Sequence, residues 1–219
     1  DHSTVTANIT AKALTVSGIT ALDKGYDGNA TATLDTSLIN YGGLVSGDTL
    51  TGTYSGVFDN ANVGTGKTVT ITSSYGGTDV NNYTITDQAS TTADVTTKAL
   101  TATASAANKT YDASDTATTT LTLSGFIGTE TVTSTNSSTF NDKNVGTGKS
   151  VTVNSITLAD GTNGGLAANY SISTGQTTTA DVTAKALSVS CITASNKTYD
   201  ATTTATLNTG SVTYTGLVS

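Results

Sequence analysis

The chain has 219 residues, nine Lys+Arg against sixteen Asp+Glu, and a formal net charge of −7. Arg, Pro, Met and Trp are absent, and 53 residues are Thr. A basic nucleic-acid binder is excluded, since few cations are present to displace phosphate counterions. A membrane-spanning helix is excluded, since no apolar run approaches the ~20 residues it needs. A helical protein is excluded, since Thr and Gly are poor helix formers.

With no Met at position 1 and no signal peptide, the chain is expected to begin inside a processed or excised segment. One cysteine, Cys191, allows no internal disulfide and leaves the compartment open. The Thr/Ser/Asn/Gly-rich, acidic composition fits an extracellular or cell-surface protein. Regular alternation of β-branched residues, with nine Tyr, argues against a disordered polar tract.

In chain order, the sequence repeats itself. Lys12-Ala13-Leu14-Thr15 returns as Lys98-Ala99-Leu100-Thr101 and as Lys185-Ala186-Leu187-Ser188, at spacings of 86 and 87 residues. Tyr26-Asp27 returns as Tyr111-Asp112 and Tyr199-Asp200. Asn62-Val63-Gly64-Thr65-Gly66-Lys67 returns as Asn144-Val145-Gly146-Thr147-Gly148-Lys149. Asn82-Tyr83 returns as Asn169-Tyr170, and Thr92 to Thr96 as Thr179 to Thr183. The expected organisation is therefore 1–11, the closing strand of a preceding repeat; 12–97, repeat one; 98–184, repeat two; and 185–219, the start of a third.

The third stretch stops at Ser219, the counterpart of Ser46. An incomplete unit cannot bury a full core. A piece of a longer array is the favoured expectation; completion by another molecule is the alternative.

A period near 87 residues suits one small β-sandwich. Thr68-Val69-Thr70-Ile71-Thr72 and Tyr83-Thr84-Ile85-Thr86 alternate with the period of two that half-buried strands require. Turn signals at Asp27-Gly28-Asn29, Gly42-Gly43, Ser46-Gly47-Asp48 and Gly64-Thr65-Gly66 separate the runs. The expected fold is all-β: tandem immunoglobulin-like sandwiches, roughly seven strands each, arranged end to end. The expected core of repeat one is Leu14, Val16, Ile19, Leu34, Leu44, Leu50, Phe58, Val63, Val69, Ile71, Tyr83, Ile85 and Val95. A unit of this size hides roughly 60% of its unfolded surface, enough to fold without disulfides. The repeat boundaries carry no Gly/Ser-rich linker, so one closing strand is expected to run almost directly into the next opening strand, as a semi-rigid rod.

The ordered set Lys24-Gly25-Tyr26-Asp27-Gly28, Phe58 to Lys67, Asn82 to Ile85 and Thr92 to Leu100 resembles the YDG-type repeats, related to the MBG repeats of large bacterial surface proteins. Repeat two supplies Lys109 to Ala113, Phe140 to Lys149, Asn169 to Ile172 and Thr179 to Leu187. The resemblance implies β-sandwich repeats in secreted or surface-anchored, haemagglutinin-like adhesins, usually as stalks. It does not imply an enzyme. Ala113 and Ala201 replace the glycine of the name motif, so a left-handed backbone is not expected there.

Gly66-Lys67-Thr68 and Gly148-Lys149-Ser150 end like a phosphate-binding loop. Ala61 and Lys143 stand where the first glycine must be, so a tight turn before a strand is expected instead. The Tyr-Asp turns are weighed as packed Tyr with Asp satisfying turn amides, against calcium at unit junctions; their carboxylates are sparse for calcium. Lys12, Lys98 and Lys185 are expected to be plain strand lysines rather than crosslinks to Asn82 or Asn169. His2 is the single histidine, and no Ser/His/Asp set repeats, so neither catalysis nor zinc has a candidate constellation. Cys191 stands at the place of Gly18 and Ala104 and is expected to be a small half-buried strand residue. Seven Asn-x-Ser/Thr acceptor signals occur, among them Asn29 and Asn108; several are expected by chance in so Thr-rich a chain, and the motif is an acceptor signal for glycosylation only.

The expectation is a non-catalytic stalk segment without a cofactor. Its partners are neighbouring repeats of the same or a longer chain, with a host surface or matrix reached through modules elsewhere. The alternatives are a self-assembling extracellular filament built from identical chains, and a calcium- or glycan-binding module, for which Tyr41, Tyr54 and Tyr75 are the candidate solvent-facing aromatics.

Overall fold

The computed structural model describes His2 and residues 4–218. Each repeat folds as two facing sheets. In repeat one, Lys12–Ser17 lies at the centre of a three-stranded sheet, between Asn40–Gly42 and Tyr83–Thr86. The opposing sheet has five strands, in the order Lys24–Gly25, Ser90–Thr96, Gly64–Gly76, Thr51–Phe58 and Thr31–Ala32. Repeat two has the same plan. Thr119–Ser124, Lys98–Ala106 and Tyr170–Ile172 form the small sheet. Lys109–Thr110, Thr177–Thr183, Gly146–Asp160, Val132–Phe140 and Thr116–Ala117 form the large one.

The alternation places the core. Leu14 and Val16 point inward from Lys12–Ser17, while Val69 and Ile71 point inward from Gly64–Gly76. Leu14, Val16, Ile19, Ile71 and Tyr83 form one apolar cluster, with Leu34, Leu44, Leu50 and Ile85 half-buried against it. In repeat two Phe140, Val151, Val182, Ala117 and Ala180 do the same. Thr fills the outward positions, where its branched Cβ suits the pleat and its hydroxyl meets water.

Three features depart from the expected sandwich. Two pairings in repeat one are parallel: Leu14 opposite Ile85, and Val95 opposite Lys24. The strands are also unequal. Gly64–Gly76 runs for 13 residues and Gly146–Asp160 for 15, while the edge strands of the same sheets have only two. Finally, Tyr41, Tyr54 and Tyr75 are not solvent-facing. They are half-buried against the core, with the Tyr41 and Tyr54 hydroxyls 2.9 Å apart and the Tyr54 and Tyr75 rings edge to face.

The chain separates into two compact units that do not coincide with the sequence repeats. The first comprises the described residues up to Leu100 with Gly125–Thr133 and Ala159–Ser171; the second comprises Thr101–Ser124, Ser134–Leu158 and the described residues from Ile172. The change of repeat at Thr97 takes one residue, between Ser90–Thr96 and Lys98–Ala106.

Residues 185–218 form only two short ribbons, Ser188–Ser190 with Thr213–Thr215 and Thr193–Ala194 with Leu207–Asn208. Apart from the half-buried Val212 and Val218, all of these residues are exposed. Cys191 is exposed too, and its φ of 65° is left-handed like the 85° of Gly18. It therefore marks a bend after a strand rather than a half-buried strand position. In the second copy the counterpart, Ala104, continues the strand Lys98–Ala106 without such a bend.

Candidate functional site

Each Tyr-Asp turn is built around a lysine. Lys24 Nζ donates to the carbonyls of Asn29 (2.8 Å) and Thr31 (3.1 Å) and pairs with Asp27 at 2.7 Å. Lys109 does the same with Ser114, Thr116 and Asp112, and Lys197 with Thr202 and Asp200. Lys24 and Lys109 also lie over the rings of Phe58 and Phe140. The ammonium groups satisfy carbonyls that the sharp turn leaves unpaired. Lys109 holds the Asp112 carboxyl below the usual range, as Lys197 does for Asp200.

The residue after Asp is left-handed in all three turns: Gly28 at 78°, Ala113 at 67° and Ala201 at 60°. This corrects the expectation drawn from the alanines. Asp27 and Asp112 each accept the backbone N–H two residues on, and these bonds close the turn whatever follows the aspartate. Alanine endures the conformation at a cost.

The Gly-Thr-Gly-Lys segments are strand starts. Gly66 and Gly148 have φ of 59° and 57°, and their N–H groups donate to Asp94 and Asp181, both at 2.7 Å. Lys67 pairs with Asp59, and Lys149 with Asp142 and the Asn144 carbonyl. Gly64 and Gly146 begin these two strands, and their cations face inward to protein oxygens.

The Asn-Tyr pairs carry the geometry that matters most. The Tyr83 hydroxyl donates to Asp48 Oδ2 at 2.6 Å and accepts from the Val45 N–H. The Tyr170 hydroxyl donates to Glu130 Oε2 at 2.6 Å and accepts from the Ile127 N–H. Asp48 and Glu130 each follow a left-handed glycine, Gly43 and Gly125, by five residues.

Within the first compact unit, the Glu130 site receives the tip of repeat one. The Tyr26 hydroxyl donates to Glu130 Oε1 at 2.8 Å, and the Tyr26 and Tyr170 rings meet edge to face at 5.6 Å. Asn169, 1% exposed, accepts the Val63 N–H through Oδ1 and donates through Nδ2 to Asn62 Oδ1, both at 3.0 Å. Gly28 comes so close that a Cβ there would stand 2.8 Å from Ile127 Cγ2. Tyr26 is 5% exposed. Burial first, and Glu130 second, push its phenol up to about 12. The arrangement is a hydrogen-bonded joint: one carboxylate takes two phenol hydroxyls, and one buried amide reads a neighbouring backbone.

The predicted site residues fall into two groups. Tyr26, Asn169 and Tyr170 come together with Glu130. Asp27 and Asp112 stay with their own lysines. Tyr111 lies at a separate cleft with Val145, Leu187 and Leu217, Tyr199 is 91% exposed, and Asn82 with Tyr83 faces an open cleft. Glu130, Asp48 and the lysines Lys24, Lys109 and Lys197 were missed as site residues. Their signal was positional: the acids stand five residues after a glycine, and the lysines two before the tyrosine. Among the described residues no three His, Cys, Asp or Glu gather as metal ligands would.

No curated protein and no solved structure matches the chain. A family model, the YDG domain, matches residues 10–93 and again 96–180. Two consecutive matches over most of its length make the chain a member of the YDG domain family, carrying two copies in tandem.

Proposed function

We propose that the chain is a non-catalytic structural segment of a secreted or surface-anchored bacterial adhesin. YDG repeats are joined in series there and carry a binding module, located elsewhere, away from the surface. The observation behind this reading is the joint of Tyr26, Glu130, Tyr170 and Asn169. Its polar groups are spent on one another across 104 residues of sequence, as holding one repeat to the next requires.

The turn aspartates support the same reading over a calcium- or glycan-binding module. Their carboxylates are engaged by Lys24, Lys109 and Lys197. Stability in such an array is roughly a sum of unit and interface contributions.

Pulling one molecule from both ends tests the proposal. Two similar unfolding steps of about 25–30 nm, as expected for units of this length, support a load-bearing series. One rupture without steps, or a melting temperature that rises several degrees with millimolar calcium, would displace it in favour of a single cooperative body or a calcium module.

A further inference from the structure

Tension on repeat one enters at Lys12 and leaves at Thr96, the outer ends of its first and last strands. The first strand, Lys12–Ser17, pairs in parallel with Tyr83–Thr86, from Lys12 opposite Tyr83 to Thr15 opposite Thr86. Residues 87–89 then lead into the last strand, Ser90–Thr96, which pairs in parallel with Lys24–Gly25. The Tyr26 N–H extends that pairing to the Thr96 carbonyl at 2.8 Å. Pulling the two ends apart drives Lys12–Ser17 backwards and Ser90–Thr96 forwards. Each parallel pair must then slide along itself, and its evenly spaced bonds share the load instead of opening one by one.

Gln88 lies on this loaded path, between Tyr83–Thr86 and Ser90–Thr96, and its carboxamide holds one backbone residue from both sides. Oε1 accepts the Ile19 N–H at 3.0 Å, and Nε2 donates to the Ile19 carbonyl at 2.6 Å. Ile19 stands two residues beyond the first strand and is 1% exposed. The two hydrogen bonds tie the far end of the first strand to the chain entering the last one, across 69 residues of sequence. Their shelter from water strengthens them.

Repeat two keeps the glutamine and lacks the tie. In repeat one Gly18, at a φ of 85°, turns the chain out of the ladder after Ser17, which leaves the Ile19 backbone to Gln88. In repeat two Lys98–Ala106 runs on through the corresponding positions, and Ser105, the counterpart of Ile19, pairs with Thr120. Gln176, the counterpart of Gln88, turns its Nε2 to the Ser173 carbonyl at 2.7 Å, and its buried Oε1 has no partner among the described residues.

We propose that Gln88 is a mechanical tie peculiar to repeat one. It couples the first strand to the last, so that neither slides without breaking both bonds to Ile19. The two YDG copies therefore resist tension by unlike means: repeat one by strand pairing and a side chain, repeat two by strand pairing alone. The purpose of the tie rests on the load-bearing function proposed above; its existence does not.

Constant-force pulling on the full chain, with amide exchange on the same variants, tests it. Gln88→Leu keeps the bulk of the side chain and removes both bonds. It should speed one of the two unfolding steps by ~10-fold or more, the effect of losing two hydrogen bonds that forced unfolding must break. Gln176→Leu should leave both steps unchanged. Without load, Gln88→Leu should speed exchange of the Ile19 amide by ~10-fold or more and leave that of Leu14, buried in the first strand, unchanged. Gln88→Ala serves the same comparison should leucine prevent folding. Unfolding steps indifferent to Gln88, an Ile19 amide that exchanges no faster, or equal acceleration by Gln176→Leu would each overturn the tie. A native chain that ruptures in one step would defeat the load-bearing series, and the Ile19 exchange rate would still decide the tie.

Discussion

Asp48 and Glu130 occupy the same place in successive repeats, and each takes the hydroxyl of its own repeat's Asn-Tyr tyrosine at 2.6 Å. Only Glu130 takes a second phenol, from Tyr26. The difference isolates the energetic worth of the joint. Tyr26→Phe should destabilise the first compact unit by about 1–2 kcal/mol, since it leaves one carboxylate oxygen without its donor. Glu130→Ala should cost more, about 2–4 kcal/mol, because two phenols lose their acceptor at once. Urea unfolding of both variants, read against Asp48→Ala, gives the ordering. An Asp48→Ala as costly as Glu130→Ala would show that the second phenol contributes nothing.

The joint should loosen in alkali. The Tyr26 phenol is raised to about 12 in the fold, against an ordinary value near 10. A raised pKa means stability fully present below the unfolded value and lost as pH climbs through the folded one. Melting temperature should therefore fall between pH 10 and 12 more steeply for the native chain than for Tyr26→Phe. Parallel curves would count against a buried phenol at the joint.

The acid limit belongs to the lysine-anchored carboxylates. Asp112 and Asp142 are held below the usual carboxyl range, first by the hydrogen bonds from Lys109 and Lys149. Depressed values stabilise the fold above the unfolded pKa near 4 and lose that stabilisation as pH falls through the folded one. Lys149 is 9% exposed. Asp142→Ala strands its ammonium and should lower the melting temperature clearly. Asp200→Ala, on an exposed pair, should leave the melting temperature almost unchanged. Thermal melts of the two variants at pH 7 separate the cases; equal shifts would contradict the argument from burial.

The left-handed turns predict an asymmetric pair of substitutions. Ala113→Gly relieves a φ of 67° and should stabilise repeat two by about 0.5–1 kcal/mol. Gly28→Ala introduces the same strain and also presses a Cβ against Ile127, 2.8 Å away, so it should cost about 1–3 kcal/mol. Gly28→Ala tolerated as well as Ala113 is in the natural chain would mean that the Ile127 side of the joint yields freely.

Much of this was legible in the sequence because the chain states its pattern twice. The period located the sandwiches, and alternation around Val69 and Ile71 located the core. Tyr26, Asn169 and Tyr170 stood out by recurrence. Glu130 did not, because Asp in one copy becomes Glu in the next and a bond spanning 104 residues leaves no local trace. The left-handed alanines were misread because composition reports what a residue prefers, while the Asp112 carboxylate and Lys109 decide what Ala113 adopts. The parallel pairings were illegible for a related reason: alternation fixes which face is buried but not which neighbour lies alongside.

The mismatch between compact unit and repeated sequence has an evolutionary consequence. A joint takes its tip from one copy and its socket from the following one. Duplicating or deleting any whole period therefore regenerates an intact joint at the new seam, wherever the break falls. Array length is free to drift by recombination, so long as each seam still sets a tyrosine opposite a carboxylate, a need that Asp48 and Glu130 show either acid can meet.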